Sequence, residues 1–393
     1  MIDLVLRSVL TPGVLAARWA GLAMVPDLAD VPKTRLSLGL ATKMALDEFF
    51  LMTEVLSAKL VSVRDRDRIG GELAAALDFF ETRGFLAAPG RYHLDPEPLE
   101  PATLHPATSR GLHYHHLTFP SGYEPHAGEP GRERWLGYER NRTAHAWLLQ
   151  HPGKPRPWLV CVHGYRMGFP LADFLGFPAA WFHHELGLNV AFPVLPLHGP
   201  RKMGVRTGDG FLSGDYLDTI HLQTQAVWDI RRLIAWLRAE EGMPVGVYGI
   251  SLGGYTSTLL ASLEDDLACA IAGIPASCYV GLTRWVLPAW LLRLAEYAGV
   301  TLDGIERLVR VISPLAFAPR VPWDRRFLYA ATGDRLVPPA TVRELWEHWG
   351  RPRLDWYEGS HTSFGWEATV QELLQDALAR SGLLAGGRGL ASA

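Results

Sequence analysis

The chain has 393 residues, 48% hydrophobic and 20% charged, so it carries enough apolar material for a large folded core. Its net charge is −3, and it has no long run of lysine or arginine, so no nucleic-acid partner is expected. The three cysteines, Cys161, Cys269 and Cys278, are few and odd in number, and the first two lie in apolar runs. Free thiols in a reducing, cytoplasmic setting are therefore expected.

Residues 1–105 are predicted to form a helical amino-terminal extension that ends in a proline-rich linker or wrapping arm. Apolar residues recur at helical spacing over residues 38–63, and a second helix is predicted over 70–80. No residue cluster in this extension suggests chemistry. Residues 1–24 lack the order of a signal peptide, and a helix docked on the main domain is favoured over peripheral association with a membrane.

Residues 106–385 alternate apolar runs with helical patterns, which predicts an α/β catalytic domain with a mostly parallel, doubly wound sheet and helices on both faces. Residues 276–322 are rich in leucine and aromatic residues, and they are predicted to form a small helical cap inserted after the sixth strand. Residues 386–393 are expected to form a flexible tail. The predicted strands cover residues 113–119, 143–149, 158–162, 189–194, 245–248, 267–274, 327–331 and 354–357.

The sequence Gly-Ile-Ser-Leu-Gly at residues 249–253 stands between an apolar, strand-like run and a helical pattern. A serine at such a turn has a strained backbone, and its hydroxyl group points out above the sheet. Gly249 and Gly253 fit because the turn leaves no room for side chains. The five-residue pattern alone is weak in a chain with 39 glycines, but its strand–turn–helix context makes it specific. An ordinary helix N-cap is the alternative role for Ser251.

Serine needs a base to take its proton and a carboxylate to orient that base. Asp334 follows the predicted strand 327–331, and His361 follows the predicted strand 354–357. The carboxyl ends of parallel strands meet at one edge of a sheet, so both residues are expected beside Ser251, with Ser251 as nucleophile and His361 as base. Asp334 is the predicted orienting carboxylate, with Asp355 and Glu358 as alternatives.

An oxyanion formed at this site would need two hydrogen-bond donors. Two backbone N–H groups are predicted to supply them, that of Leu252, which follows the serine, and that of Tyr165. Gly164 gives the loop before Tyr165 the conformational freedom that this requires. No metal site is predicted, because the histidines at residues 113–116 have no further ligands at a suitable spacing. The candidates for the pocket lining are Arg166, His198, Tyr279 and Trp285.

From about residue 110 to residue 385 the chain resembles the α/β-hydrolase superfamily. The resemblance rests on four motifs in order: His163-Gly164, the Gly249–Gly253 turn, Gly333-Asp334 with Val337-Pro338, and Gly359-Ser360-His361. It implies the fold and the triad but no particular substrate. The chain also resembles a poorly characterised branch of the superfamily that carries a helical amino-terminal extension.

These patterns predict a serine hydrolase that cleaves a carboxylic ester through an acyl-enzyme, with a small to medium apolar acyl group as the central expectation. No cofactor and no metal is expected, and the expected partner is a small-molecule ester. Four alternatives stay open: a lipid ester hydrolase, an acyltransferase, a C–C hydrolase, and a non-catalytic binding protein with the same fold. The oligomeric state is not predicted.

Overall fold

The computed structural model describes residues 29–33, 37–57, 63–211, 215–287, 292–293, 295–296 and 299–384. Two predicted features, the helix within residues 1–24 and the flexible tail at 386–393, lie outside these ranges, as does part of the predicted cap. None of the described helices is both long enough and apolar enough to span a membrane. The division into extension, catalytic domain and cap stays a prediction.

Nine strands of the described chain form one mixed sheet in the order β1-β2-β3-β5-β4-β6-β7-β8-β9. The first three strands and β5 pair antiparallel, and all pairs from β5 to β9 are parallel. The predicted α/β class with a mostly parallel sheet is thereby confirmed. The strands are β1 Thr103–Ser109, β2 Leu112–Pro120, β3 Thr143–Leu149, β4 Trp158–Val162, β5 Asn189–Pro193, β6 Val245–Ile250, β7 Ala270–Gly273, β8 Arg326–Ala331 and β9 Arg353–Tyr357.

Strand β1 begins within the segment that the sequence assigned to a proline-rich linker. Pro106 lies in the middle of β1 and pairs with His115 of β2. Proline lacks an N–H donor, and an edge strand tolerates that loss because one side of it has no partner. The sheet therefore has one strand more than predicted, and the insertion that contains the predicted cap follows the seventh strand, β7, rather than the sixth.

Helices cover both faces of the sheet, as predicted. Helices α2, α5, α6, α8 and α9 contribute to the core on one face, and α4 and α10 contribute to the core on the other. The helices are α1 Leu38–Ser57, α2 Val63–Thr82, α3 Arg132–Leu136, α4 Pro170–Gly176, α5 Tyr216–Glu241, α6 Leu252–Leu263, α7 Tyr279–Val286, α8 Leu302–Val309, α9 Pro339–His348 and α10 Ala368–Arg380.

Strand β4 shows how the sheet separates the two cores. Trp158, Val160 and Val162 pack on the face of α5 and α6, whereas Leu159 and Cys161 pack on the opposite face. All five residues are buried, which explains why the strand reads as one continuous apolar run instead of an alternating one. The loops at the carboxyl edge thus extend from strands in the buried centre of the sheet.

Candidate active site

The turn between β6 and α6 has the backbone strain that its sequence predicts. Ser251 adopts φ 55° and ψ −115°, in the left-handed half of conformational space that non-glycine residues rarely occupy. A Cβ atom on Gly253 would overlap the carbonyl oxygen of Val162, and one on Gly249 would overlap the carbonyl oxygen of Gly253. Only glycine fits at both positions, so the turn can pass this close to β4.

The three predicted catalytic side chains lie together at the carboxyl edge of the sheet. His361 Nε2 is 2.9 Å from Ser251 Oγ, and His361 Nδ1 is 2.7 Å from Asp334 Oδ2. The other oxygen of Asp334 accepts hydrogen bonds from the N–H groups of Leu336 and Val337, at 2.8 and 2.7 Å. These two bonds fix the carboxylate so that its free oxygen faces the imidazole.

The two alternative carboxylates lie elsewhere. Asp355 is paired with Arg353 at 2.6 Å, and Glu358 is exposed to solvent. Of the three acidic residues that the sequence offered as partners for His361, Asp334 is the one hydrogen-bonded to it.

Two carboxylates act on the protonation of His361, which is 7% exposed. Burial lowers the pKa of the imidazole, but the charge and the hydrogen bond of Asp334 raise it, and the charge of Asp47 raises it further. The net result is a pKa above the ordinary value of histidine. The imidazolium that forms when His361 accepts a proton is therefore stabilised in place.

The predicted oxyanion donors lie on the two segments that border Ser251. Leu252 is the first residue of α6, where backbone N–H groups have no partner within the helix. Tyr165 lies in the loop after β4, and a Cβ atom on the adjacent Gly164 would be 3.6 Å from Ser251 Cβ. The loop thus lies against the serine, and the two donor roles stay predictions.

The four predicted pocket residues differ in their surroundings. Arg166 is engaged by Glu54 and by Asp209, so its charge is already neutralised. His198 is completely buried, and its ring packs against His163 and Tyr165. Burial lowers the pKa of His198 well below the ordinary value, so it is held neutral.

The remaining two pocket candidates are aromatic and come from α7. Tyr279 is buried, its ring lies 4.7 Å from that of Tyr255, and its hydroxyl accepts a hydrogen bond from Gln223 Nε2 at 2.8 Å. The half-buried Trp285 donates from Nε1 to the carbonyl oxygen of Arg335 at 2.9 Å. Trp285 therefore lies beside the loop that carries Asp334, whereas Tyr279 is part of the core.

Helix α1 supplies site residues that the sequence did not reveal. Asp47 Oδ2 accepts hydrogen bonds from the N–H groups of His361 and Arg335, at 2.8 and 3.1 Å. Its Oδ1 accepts from the N–H and the hydroxyl of Thr362, at 3.1 and 2.9 Å. The expectation that the amino-terminal extension carries no chemically interesting cluster was wrong. The available signal was a carboxylate at helical spacing within the apolar stripe of Leu40, Met44 and Leu51.

Among the residues that the structure describes, no group of three or more His, Cys, Asp or Glu side chains is placed to hold a metal ion.

Comparison with solved structures identifies the class of fold. The acetyl xylan esterase 1 of Thermoanaerobacterium sp. JW/SL YS485 is 16% identical, with a TM-score of 0.52 over 77% of this chain and 93% of that one. The acetyl xylan esterase of Paenibacillus sp. R4 is also 16% identical, with a TM-score of 0.51 over 76% of this chain and 94% of that one. This similarity shows that the chain has the α/β-hydrolase fold.

Comparison of sequences identifies the family. The uncharacterized proteins MT2702 and Rv2627c of Mycobacterium tuberculosis, from strains CDC 1551 and H37Rv, are each 43% identical to the chain over 365 residues. The match covers 92% of this chain and 87% of each relative, so the chain belongs to their family. No protein-family model matches the chain.

Proposed function

We propose that the chain is a serine hydrolase that cleaves a carboxylic ester through an acyl-enzyme intermediate. The observation that carries this proposal is the hydrogen-bonded chain from Ser251 Oγ to His361 Nε2 and from His361 Nδ1 to Asp334, on a strained elbow. A serine, a base and an orienting carboxylate in this connection are what nucleophilic acyl transfer requires. A helix N-cap role for Ser251 explains neither its strained backbone torsion angles nor its hydrogen bond to a histidine that is itself bonded to Asp334.

The proposed reaction has two halves. Ser251 Oγ attacks the ester carbonyl carbon while His361 Nε2 takes its proton, and the N–H groups of Leu252 and Tyr165 stabilise the oxyanion. The C–O bond to the alcohol breaks, and His361 returns the proton to the leaving oxygen. A water molecule then attacks the acyl-enzyme, loses a proton to His361 and releases the carboxylic acid, while Ser251 regains its hydrogen. Asp334 holds the imidazole in the required tautomer throughout.

The proposed substrate is an ester with a small to medium apolar acyl group. The half-buried Trp285, beside the loop of Asp334, gives this part of the site an aromatic side chain. The two structural neighbours described above are acetyl xylan esterases, and an acetyl group is a small acyl group. We further propose the reducing, cytoplasmic location expected from the cysteines, all three of which are free.

Active-site labelling tests the proposal. A fluorophosphonate probe reacts with an activated serine by forming a P–O bond and releasing fluoride. We expect labelling of the wild type and of Ser109→Ala, a control serine at the far edge of the sheet, and no labelling of Ser251→Ala. A series of p-nitrophenyl esters from acetate to decanoate should then show maximal turnover at a short chain. Loss of turnover in Ser251→Ala should be on the order of a millionfold.

A folded wild type that is not labelled would overturn the serine mechanism and favour the binding-protein alternative. Labelling without ester turnover would direct the test to acyl transfer, with alcohols supplied as acceptors, or to C–C bond cleavage, with diketones as substrates. Maximal turnover with decanoate would favour a lipid ester.

A further inference from the structure

Helix α1 presents one face to the candidate active site. Its inward residues recur three or four positions apart, as one face of a helix requires, and three of them are carboxylates among apolar side chains. On the opposite side, Leu46 and Phe49 are 46% and 61% exposed. The inward residues are Leu40, Met44, Asp47, Glu48, Leu51 and Glu54.

Asp47 joins the two loops that carry the proposed acid and base. Both of its oxygens accept hydrogen bonds, four in all, from the N–H groups of Arg335, His361 and Thr362 and from the hydroxyl of Thr362. The side chain is fully buried. Burial and the nearby charge of Asp334 raise the pKa of Asp47, whereas the charge of His361 and the hydrogen bonds from the N–H groups of Arg335 and His361 lower it. The three N–H partners can only donate, so they pair best with the ionised carboxylate. One buried charge thus holds the residue after Asp334 and the backbone of His361 itself.

Glu48 adds a second buried link to the same region. Its Oε1 accepts a hydrogen bond from Arg335 Nε at 2.8 Å, with side chains 7% and 3% exposed respectively. A buried ion pair is costly to assemble and costly to break, so it favours a single arrangement of the groups around it. The loop after β8 is therefore held to α1 through both the backbone and the side chain of Arg335.

Glu54 binds the other side of the site. Its carboxylate accepts hydrogen bonds from the hydroxyl of Tyr165 at 3.1 Å and from Arg166 Nε and Nη2, at 3.1 and 2.5 Å. Arg166 has φ 70°, an uncommon value for a side-chain-bearing residue, and it follows the proposed oxyanion donor directly. Asp47 and Glu54 are seven positions apart, which corresponds to roughly 10 Å along the helix axis.

We propose that α1 is a structural part of the active site, in which Asp47 is a positioning residue for His361 and Asp334 and Glu54 is a positioning residue for the oxyanion loop. This proposal rests on the proposed function. Neither residue touches the reacting atoms. Asp47 sets where the imidazole lies and how strongly it holds a proton, and Glu54 sets where the N–H group of Tyr165 points. The two roles predict different kinetic effects.

The electrostatic part of the role of Asp47 follows from the groups around His361. Asp334 faces the imidazole from the loop after β8, and Asp47 faces it from α1, and both charges raise its pKa. Removal of the charge of Asp47 should therefore lower the pKa of His361. Glu358, in the loop after β9, is exposed. Other charged side chains on these elements form ion pairs: Arg335 with Glu48, Lys43 with Glu367, and Glu54 with Arg166.

Four variants of the full-length protein test the proposal: Asp47→Asn, Asp47→Glu, Glu54→Gln and the control Asp78→Asn, whose side chain is exposed on α2. The readouts are kcat and KM on the best p-nitrophenyl ester, and the pH dependence of kcat/KM and of fluorophosphonate labelling. Circular dichroism checks that each variant is folded.

Asp47→Asn should lower kcat roughly 10- to 100-fold, because misplacement of a catalytic group is that costly, and should move the acidic limb of the pH profile to lower pH. Asp47→Glu keeps the charge and moves it, so kcat should fall while the limb stays in place. Glu54→Gln should lower kcat with no movement of the limb. Asp78→Asn should match the wild type.

Three results would overturn the proposal while leaving the serine mechanism intact, provided that the wild type is labelled at Ser251. The first is an unshifted acidic limb in folded Asp47→Asn. The second is a wild-type kcat in Asp47→Glu, which decides the matter if Asp47→Asn does not fold. The third is a Glu54→Gln variant with unchanged kcat. A wild type that is not labelled contradicts the proposed function instead.

Discussion

The elbow at Ser251 and helix α1 both contact His361, the first through its imidazole and the second through its backbone N–H group, and they are built in different ways. The elbow is fixed by backbone geometry: strained torsion angles at Ser251, and glycines whose Cβ atoms would overlap neighbouring carbonyl groups. Helix α1 is fixed by side chains, chiefly the buried carboxylates of Asp47 and Glu48. The elbow combines a local turn with one close approach to Val162 on β4, whereas the buried carboxylates of α1 depend on Arg335, His361 and Thr362, about 300 positions along the chain.

The difference shows where substitution is tolerated. At the elbow there is no space for further atoms, so even one added methyl group is expected to destabilise the fold. Helix α1 is held by hydrogen bonds to its carboxylates. A substitution of similar size there can therefore keep the fold and alter only the catalytic rate. Four predictions, ordered by the size of the expected effect, test this contrast.

The largest effect is expected at the hydrogen bond between Asp334 and His361. Asp334→Asn replaces an acceptor by an amide that can donate to His361 Nδ1, which favours the wrong tautomer of the imidazole. We expect kcat to fall roughly ten-thousandfold with the fold intact. Asp355→Asn, on the neighbouring strand, is the control and should keep most of the activity. Equal losses in the two variants would show that Asp334 has no special role.

The next effect tests the elbow itself. Gly253→Ala puts a methyl group where the carbonyl oxygen of Val162 lies, so β4 and α6 must move apart. The free energy of unfolding should fall by about 3 kcal/mol, measured by urea denaturation. Gly71→Ala, at a helical glycine with open space around it, should instead raise stability by up to about 1 kcal/mol. A stable, active Gly253→Ala variant would refute the steric account of the elbow.

A third effect concerns pH. As a general base, His361 must be neutral before it can accept the proton of Ser251, so activity is lost as pH falls through its pKa. Because that pKa is raised, the acidic limb of kcat/KM should lie at higher pH than that of an ordinary histidine. A pH titration of turnover measures this directly. An acidic limb below the ordinary histidine range would show that the two carboxylates do not act on His361 in this way.

The smallest effect is expected at the rim of α1. Lys43 Nζ is 2.6 Å from Glu367 Oε1, but the lysine side chain is 31% exposed. Lys43→Ala should change the free energy of unfolding by less than about 1 kcal/mol, since exposed ion pairs contribute little, and turnover should stay close to that of the wild type. A larger loss in thermal or urea unfolding would mean that α1 is docked by its exposed charges rather than by its buried carboxylates.

Most of the sheet could be predicted because its constraints are local. Continuous apolar runs mark strands buried on both faces, such as β6, which Ser251 follows directly, and most of β8, which Asp334 follows after two residues. His361 follows β9, an edge strand that is mostly half-buried. Strand β1 was not predicted, because a proline such as Pro106 usually indicates the end of a strand. Here the proline is tolerated because β1 lies at the edge of the sheet.

Asp47 could not be predicted from its surroundings in the sequence. A carboxylate on a helix is usually solvated, and its role depends on donors from Arg335, His361 and Thr362, far along the chain. Helical spacing places Asp47 on the inward face of α1, but nothing local says which loops that face meets. Tertiary contacts decide the role of such a residue, and a single sequence does not reveal them.

The distance in sequence between Asp47 and His361 has a consequence for the newly made protein. The two residues are 314 positions apart, and translation at 5–20 residues per second separates their synthesis by roughly 15 to 60 s. Throughout that interval the ribosome-bound chain lacks His361, so Ser251 has no base and Asp47 on α1 has no bond to the His361 backbone. The proposed hydrolase should therefore stay inactive on the ribosome until the segment that carries His361 has emerged.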